Sequence, residues 1–575
     1  MTTLRKKLSL TVLGLALAVI FFFAYSFLGL SVPNLYNSPD ESANAVFARQ
    51  FAVDGRLYRV DELNLRTGLE GLVHPRSVRV VDGFQVPGGF LGLPVLLGLA
   101  IKAFGSASLP FVTPTLALLG VLAWGCLLGW LFGRRIGIFG SLLLLVNPVW
   151  WYWAARSLMP NVAFCSLLLL ALMFVVWAPF FRTIKGRNQD GWRLLRQADG
   201  ALAGMFLGLA LAVRPVELYW IIPAVLILAL IWRRSIPWGR VVVAGVFCLL
   251  TLTPFLILNQ SLYGHWLMSG YGDVTSGVSE TTQGGMWARL LGPLRPWLFP
   301  LGFAPRLALA NFWTYGLKFF WWWSALFILA SGYLLLRRQN RLCSVEQSRR
   351  IKSFLIVSGI ITIWLIFFYG SWQIQDNPDP LAVTIGSSYL RYWLPIFILS
   401  IVPLAVAFDS LSSKRFSWWR SLVVWMVLLV ITIISATAVF ESKQEGLSFV
   451  RASLVDYRSD IRTVLSLTDS SALIIVDRAD KMIYPYRSII NPLRSEQTYQ
   501  ALPAAVAARP LYYYGLTFPL KDFDWFRTNR LIPYGLDMEV VQEIDENTLY
   551  RIFCTYSIGS TDLTLPKDVD TTESE

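Results

Sequence analysis

Apolar residues in this chain come in repeated runs of about twenty, the length a helix needs to cross a hydrocarbon layer of about 30 Å. Runs near 8–30, 109–132, 136–153, 159–181, 198–213, 215–232, 239–258, 318–337, 353–370, 389–408 and 418–440 predict a polytopic α-helical membrane protein with about eleven transmembrane helices. The first run follows a basic start, Met1 to Lys7, and is too long for the apolar core of a signal peptide. It is read as an uncleaved first span. Residues 87–105, PGGFLGLPVLLGLAIKAFG, are also apolar enough to cross, but Gly88-Gly89 and Pro94 make a poor spanning helix. They are expected to lie in the interface or to re-enter without crossing.

The pattern changes after Phe440. Residues 441–575 carry polar groups at soluble density, with strand-like runs at Ala472–Val476 and Leu511–Tyr514. Met538–Ile544 and Thr548–Phe553 flank Asp545-Glu546-Asn547 as a hairpin. The expected division is therefore residues 1–440 as a transmembrane part and 441–575 as a small α/β domain outside the membrane. That domain ends in a disordered acidic tail from Asp562.

Charge supplies the orientation. Of the 575 residues only 15% are charged, and the 50 Lys+Arg exceed the 36 Asp+Glu. The basic residues sit mainly in short loops: Arg134-Arg135, Arg182 to Arg196, Arg233-Arg234, Arg337 to Lys352 and Lys414 to Arg420. That is the positive-inside pattern, not a nucleic-acid footprint. With the N-terminus in the cytoplasm, every one of these loops is cytoplasmic. Residues 31–108, 259–317, 371–388 and the C-terminal domain then fall outside; counting 87–105 as a span would invert most of this. The five scattered cysteines give no C-x-x-C pair or Cys/His cluster, hence no disulfide framework or zinc site.

Candidate chemistry concentrates at the outer ends of the spans. NSPDESANAVFARQFAVDGRLY, from Asn37, places Asp40 and Glu41 directly after the first span. Ser38, Pro39 and Glu41 form a capping-box pattern at a helix start, where acids also suit the helix dipole. A carboxylate there equally suits a general base facing a lipid-borne substrate, and the two roles are compatible if Glu41 caps and Asp40 stays free. Arg156, Arg214 and Arg391 lie on the same side as Asp40 in this topology. Arginines beside an apolar phase are costly unless they snorkel or meet an anion. Together these three suit a phosphate. Asp522-Phe523-Asp524 and Asp568-Val569-Asp570 match the D-x-D of nucleotide-sugar enzymes but fall in the outer domain and tail; His265 is read as an ordinary loop histidine. No G-x-x-x-x-G-K and no strand-linked G-x-G-x-x-G is present.

In that order along the chain, these features resemble the GT-C glycosyltransferases of the protein mannosyltransferase and aminoarabinose transferase type. An acidic pair follows the first span, as Asp40-Glu41 does, and a proline-containing apolar segment ending in "FG" resembles 87–105. The family's arginine after the third span matches Arg156, and LGLALAVRP matches its "GL…RP" span, ending at Arg214-Pro215. NQSLYGHWLMSGYG resembles its "N…YG…GYG" loop, and Arg391-Tyr392-Trp393-Leu394-Pro395 its "RY-x-x-P". The chain departs from the family at Asn161, where an acid often stands, and at His74-Pro75-Arg76, a partial echo of His-Pro-Pro. It also lacks the WWDYG of oligosaccharyltransferases.

The resemblance implies an inverting hexosyl- or pentosyltransferase with Asp40 and Glu41 as the catalytic pair. It implies that Arg156, Arg391, Arg214 and Tyr392 bind the donor phosphate. The implied donor is a sugar on a polyprenyl phosphate, and the implied acceptor a hydroxyl of a glycan, lipid or protein at the outer face. These residues fix no cofactor with certainty; a divalent cation is left open. The competing reading is a multi-span transporter or flippase of lipid-linked sugars. It should show internal symmetry, paired broken helices and ionisable residues buried mid-span, which this sequence lacks.

Overall fold

A computed structural model describes residues 2–184, 191–232, 238–272, 300–336, 345–377, 379, 381–412 and 418–555. The acidic tail, the middle of the second outer loop and parts of the basic loops lie outside the described residues. The chain divides into two compact units: Met1–Val60 with Arg76–Ser459, and Asp61–Pro75 with Asp460–Glu575.

The first unit is helical. Among the described residues, five helices are long and apolar enough to cross a membrane: Ser106–Phe132, Trp238–Tyr263, Arg349–Gly370, Leu394–Leu411 and Trp418–Glu441. Three bent pairs raise this to eight if each is one span. The expected run 136–153 is broken at Asn147 into Arg134–Leu145 and Pro148–Ala155, inclined at 54°. Asn147 Oδ1 accepts from the N–H groups of Val149 and Trp150, and Pro148 needs no donor partner, so a new helix starts there. The runs 198–213 and 215–232 are two helices turning through 111° at Arg214-Pro215. Exposed leucines, isoleucines and valines such as Leu226, Val242, Leu249 and Ile433 line the outsides of these helices, as lipid-facing surfaces require.

Two short helices stand beside the spans. The apolar stretch 87–105 forms Gly92–Phe104, thirteen residues and about 20 Å long, too short for the ~30 Å hydrocarbon layer. It packs on the helix Pro39–Asp54 at Gly98, where a Cβ would come within 2.8 Å of both the Phe51 ring and the Ala48 carbonyl oxygen. Between these helices runs a three-stranded sheet of β1 (Arg59–Val60), β2 (Val78–Val81) and β3 (Phe84–Pro87), in the order β1-β3-β2 and antiparallel.

The second unit carries a five-stranded sheet in the order β5-β4-β6-β8-β7: β4 Leu473–Val476, β5 Ser488–Ile490, β6 Leu511–Leu516, β7 Leu536–Ile544 and β8 Asn547–Cys554. β5, β4 and β6 are parallel, and β7 and β8 form the hairpin expected around Asp545-Glu546, with a bulge between Val540 and Gln542. Its composition differs from the expectation in two respects. Residues 441–459 stay with the first unit, where Leu447, Val450 and Leu454 lie in the core. Residues 61–75, expected to stay with the first outer loop, supply Leu63, Leu69 and Val73 to the core of this unit. Val73 bridges to Ile490, and the Asp61 carboxylate accepts from Ser488. Three fully buried apolar side chains explain why the segment belongs there.

Candidate active site

The site is built where several chain segments of the first unit meet. The helix Pro39–Asp54 begins with the expected capping box: Ser38 Oγ takes the Asp40 N–H at 3.3 Å, and Glu41 Oε2 takes the Ser38 N–H at 3.0 Å and the Asn37 N–H at 3.2 Å. Arg156, the residue that ends the helix Pro148–Ala155, grips the same Glu41 from the other side. Its Nε donates to Oε1 at 3.0 Å and its Nη2 to Oε2 at 2.8 Å, while Nη1 donates to the Tyr152 hydroxyl at 3.2 Å. Both side chains are about 95% buried. Glu41 thus receives four hydrogen bonds, and the Arg156 charge is matched within the fold.

Asp40 is placed differently. One position earlier on the same helical turn, it is partly open to solvent. Its Oδ1 accepts from Ser77 Oγ at 2.5 Å, and its Oδ2 faces Arg391 Nη1 at 3.5 Å. Arg391 lies in the one-turn helix Ser388–Tyr392, whose start is fixed by Asp376 accepting from the Ser388 N–H and hydroxyl at 2.6 and 2.8 Å. Asn161, the departure from the family pattern, donates to the Arg391 carbonyl at 3.0 Å. The Arg391 guanidinium stacks over Tyr392 (5.0 Å) and Trp153 (5.7 Å). Its other polar contacts are weak: Nη1 to the Met159 sulfur at 3.1 Å and Nη2 to the Tyr392 hydroxyl at 3.3 Å. Its buried Nε has no hydrogen-bond partner among the described residues.

Arg214 also lies over the Tyr392 ring, 5.1 Å from its centre. It belongs to a buried set of its own. Its Nε donates to Glu217 Oε1 at 2.7 Å and its Nη2 to the Tyr369 hydroxyl at 3.2 Å, and that hydroxyl donates to Glu217 at 2.9 Å. Trp220 closes the other Glu217 oxygen. Tyr369 in turn stacks on Tyr392, with ring centres 4.7 Å apart.

The two weak sequence patterns in the outer loops also meet here. The Tyr263 hydroxyl donates to the Pro87 carbonyl at 2.7 Å, the Gly270 N–H to the Gly89 carbonyl at 3.2 Å, and Tyr271 packs on Phe90 with ring centres 5.0 Å apart. Gly270 is required: a Cβ there would lie 2.3 Å from the Gly88 carbonyl carbon. A cleft of about 410 Å³ lies behind the Glu41–Arg156 pair, bordered by Tyr36, Asn37, Leu109, Phe111, Ser157 and Leu158 among others, and by neither Asp40 nor Arg391.

The structure therefore brings Asp40, Glu41, Arg156, Arg391, Tyr392 and Arg214 into one region, in two grades of saturation. Sequence reading missed Ser77, Trp153, Glu217 and Tyr369. Glu217 had a signal, three residues after Arg214 on a helix start; Ser77 and Tyr369 had none. Among the described residues, no group of three or more His, Cys, Asp or Glu side chains gathers as metal ligands do.

No family profile matches the sequence, and no curated protein is significantly similar to it. Solved structures are. ArnT from Cupriavidus metallidurans bound to undecaprenyl phosphate superposes at a TM-score of 0.54 with 14% identity, over 94% of this chain and 98% of that one. ArnT in the apo state gives 0.52 with 14% identity over 95% and 98%. The oligosaccharyltransferase AglB from Archaeoglobus fulgidus, in complex with an inhibitory peptide and a dolichol-phosphate, gives 0.47 with 11% identity over 87% and 69%. Matched over nearly the whole of both chains, this chain shares the fold of ArnT, the GT-C fold.

Proposed function

We propose that this chain is an inverting glycosyltransferase that moves a sugar from a polyprenyl-phosphate donor to an acceptor hydroxyl at the outer face of the membrane. The observation that carries the reading is the pairing of Asp40 with Arg391: an accessible carboxylate 3.5 Å from a buried guanidinium whose hydrogen-bonding capacity is only partly used. Undecaprenyl phosphate bound to ArnT, which shares the fold, supports a lipid-phosphate donor here.

In this reading Asp40 takes the proton of the acceptor hydroxyl. The acceptor oxygen bonds to the anomeric carbon from the face opposite the phosphate. The bond from that carbon to the phosphate oxygen breaks, and polyprenyl phosphate leaves with the electron pair. Arg391 stands ready to receive the charge that builds on that phosphate, and a fixed cation aimed at a leaving anion is usually a large catalytic term. Tyr392, whose ring lies about 5 Å from both the Arg391 and the Arg214 guanidinium, holds both in place. We assign Glu41 and Arg156 a positioning part in place of the catalytic and phosphate-binding parts expected of them, because each already satisfies the other. Residues 460–575, together with 61–75, are proposed as an extracytoplasmic domain that helps to bind the acceptor.

The test uses the purified full-length chain in lipid nanodiscs, given a panel of undecaprenyl-phosphate-linked sugars and an extract of cell-envelope acceptors. Release of undecaprenyl phosphate above a protein-free control, with the sugar recovered on an acceptor in inverted configuration, is expected. Release from none of the donors, with intact donor moved between leaflets of vesicles, would replace this reading by a flippase.

A further inference from the structure

Asp40 has a second partner that no motif announced. Ser77 precedes β2 and carries a left-handed backbone, φ +60°, unusual for a residue with a side chain. It is pinned there by Gly88: the Gly88 N–H donates to the Ser77 carbonyl at 2.9 Å, and a Cβ on Gly88 would lie 2.6 Å from that carbonyl carbon. The register Val78↔Pro87 continues the clamp into the hairpin. The consequence is that Ser77 Oγ reaches across 37 residues of sequence to Asp40 Oδ1, at 2.5 Å. A strained conformation held by its surroundings and ending on a reactive group suggests a role beyond folding.

We propose that Ser77 is a positioning residue that fixes the Asp40 carboxylate by occupying Oδ1, and so designates Oδ2 as the oxygen that accepts the acceptor's proton. This rests on the reading of Asp40 as the general base. With Oδ1 held by the hydroxyl, the carboxylate cannot turn about its last bond, and Oδ2 stays toward Arg391, where the leaving phosphate is proposed to sit. Proton removal and leaving-group stabilisation then occur on one side of the carboxylate. A carboxylate free to rotate would present the wrong oxygen, or the wrong angle, in a large share of encounters.

The choice of variants follows from the backbone. Ser77→Ala keeps the Cβ, and with it the left-handed cost that Ser77 already bears, so variants that accept this φ without that cost are used. Ser77→Gly removes the hydroxyl and accepts the φ, and Ser77→Asn tolerates the φ and restores a donor. Turnover of an undecaprenyl-phosphate sugar should fall about tenfold in Ser77→Gly with the donor KM unchanged, the scale of one lost hydrogen bond. Ser77→Asn should recover part of that loss. In the Asp40→Asn background, Ser77→Gly should cost nothing further, because the group it positions is gone. Parent-like turnover in Ser77→Gly while Asp40→Asn is inactive would overturn this inference alone, as would the same tenfold loss in both backgrounds. Parent-like turnover in Asp40→Asn would instead remove the general-base reading. A second measurement needs no substrate: labelling of Asp40 by a carbodiimide and glycinamide, read by peptide mass spectrometry on the full chain in nanodiscs. Loss of the hydroxyl should speed it by at least about threefold. Equal rates in parent and Ser77→Gly would show that the hydroxyl does not hold the carboxylate, and would overturn the inference.

Discussion

Glu41→Gln should damage folding far more than Asp40→Asn, although the two substitutions are chemically the same and adjacent. Glu41 accepts two hydrogen bonds from Arg156, at 3.0 and 2.8 Å, and two from the backbone at the helix start, at 3.0 and 3.2 Å. Glutamine keeps one acceptor oxygen and turns an amide donor toward donors on the other side. It also leaves the Arg156 guanidinium buried without its anion, a change that typically costs about 3–5 kcal/mol. Asp40, with 30% of its side chain exposed and its cation 3.5 Å away, loses under about 1 kcal/mol on the same change. The assay is the apparent melting temperature of the purified full chain in nanodiscs, read beside the yield of folded protein. Parent, Asp40→Asn and Glu41→Gln should fall in that order, with the last well separated. A Glu41→Leu/Arg156→Met double variant should melt above either Glu41→Leu or Arg156→Met alone, since exchanging a buried pair for apolar groups is often neutral while breaking it is not. Glu41→Gln melting beside the parent would refute the view that the pair is structural and would return Glu41 to the catalytic candidates.

Asp40→Asn should remain folded and bind undecaprenyl phosphate while its turnover falls about 100-fold or more, measured by release of the lipid phosphate. Arg391→Lys keeps a charge but not the planar fork, so it should retain partial turnover where Arg391→Ala retains less; equal, parent-like turnover in both would leave Arg391 structural. A cysteine at Val53, fully exposed on the helix Pro39–Asp54, should react with an impermeant maleimide from outside intact cells, and one at Ser235 only after permeabilisation. In the second unit, hydrogen bonds from Arg527 at 2.5 and 2.6 Å hold the Asp537 carboxyl below its usual range. A pKa depressed by folding contributes stability that is present above the unfolded value of about 4 and is lost as pH falls through the folded one. The melting difference between parent and Asp537→Asn should therefore shrink on acidification below about pH 4; a constant difference across that range would remove the pair from the account.

Much of the frame was legible because it depends on period and length. Twenty-residue apolar runs and short basic loops place helices, and alternation with a turn places a hairpin at 536–554. The breaks were less legible. Asn147-Pro148 is an N-cap followed by proline, a readable signal inside a run whose hydropathy alone reads as continuous. Residues 61–75 joined the second unit through three side chains, Leu63, Leu69 and Val73, with no periodicity to mark them. The site was half legible for the same reason. Asp40, Arg156 and Arg391 stand in local patterns, but Ser77 acquires meaning only through a hairpin that brings it back over 37 residues.

The division among the arginines is the least legible feature and the most informative. In sequence all three stand at outer ends of apolar runs, with Arg156 and Arg391 ranked ahead of Arg214 for the phosphate. The fold gives Arg156 a carboxylate at 2.8 Å and Arg214 one at 2.7 Å, both nearly excluded from solvent. Arg391 receives a long contact with a partly open aspartate, two aromatic faces, a thioether sulfur and the Tyr392 hydroxyl at 3.3 Å. Burying a guanidinium costs several kcal/mol unless its hydrogen bonds are met, so a fold that fully pairs two and underserves the third has left capacity at one point. In the proposed reading, an anion arriving beside Arg391 completes its hydrogen bonding within reach of Asp40. If instead Arg156→Lys and Arg214→Lys each reduced turnover per folded molecule as much as Arg391→Lys, the three would share the anion, and the distinction between paired and underserved arginines would carry no functional weight.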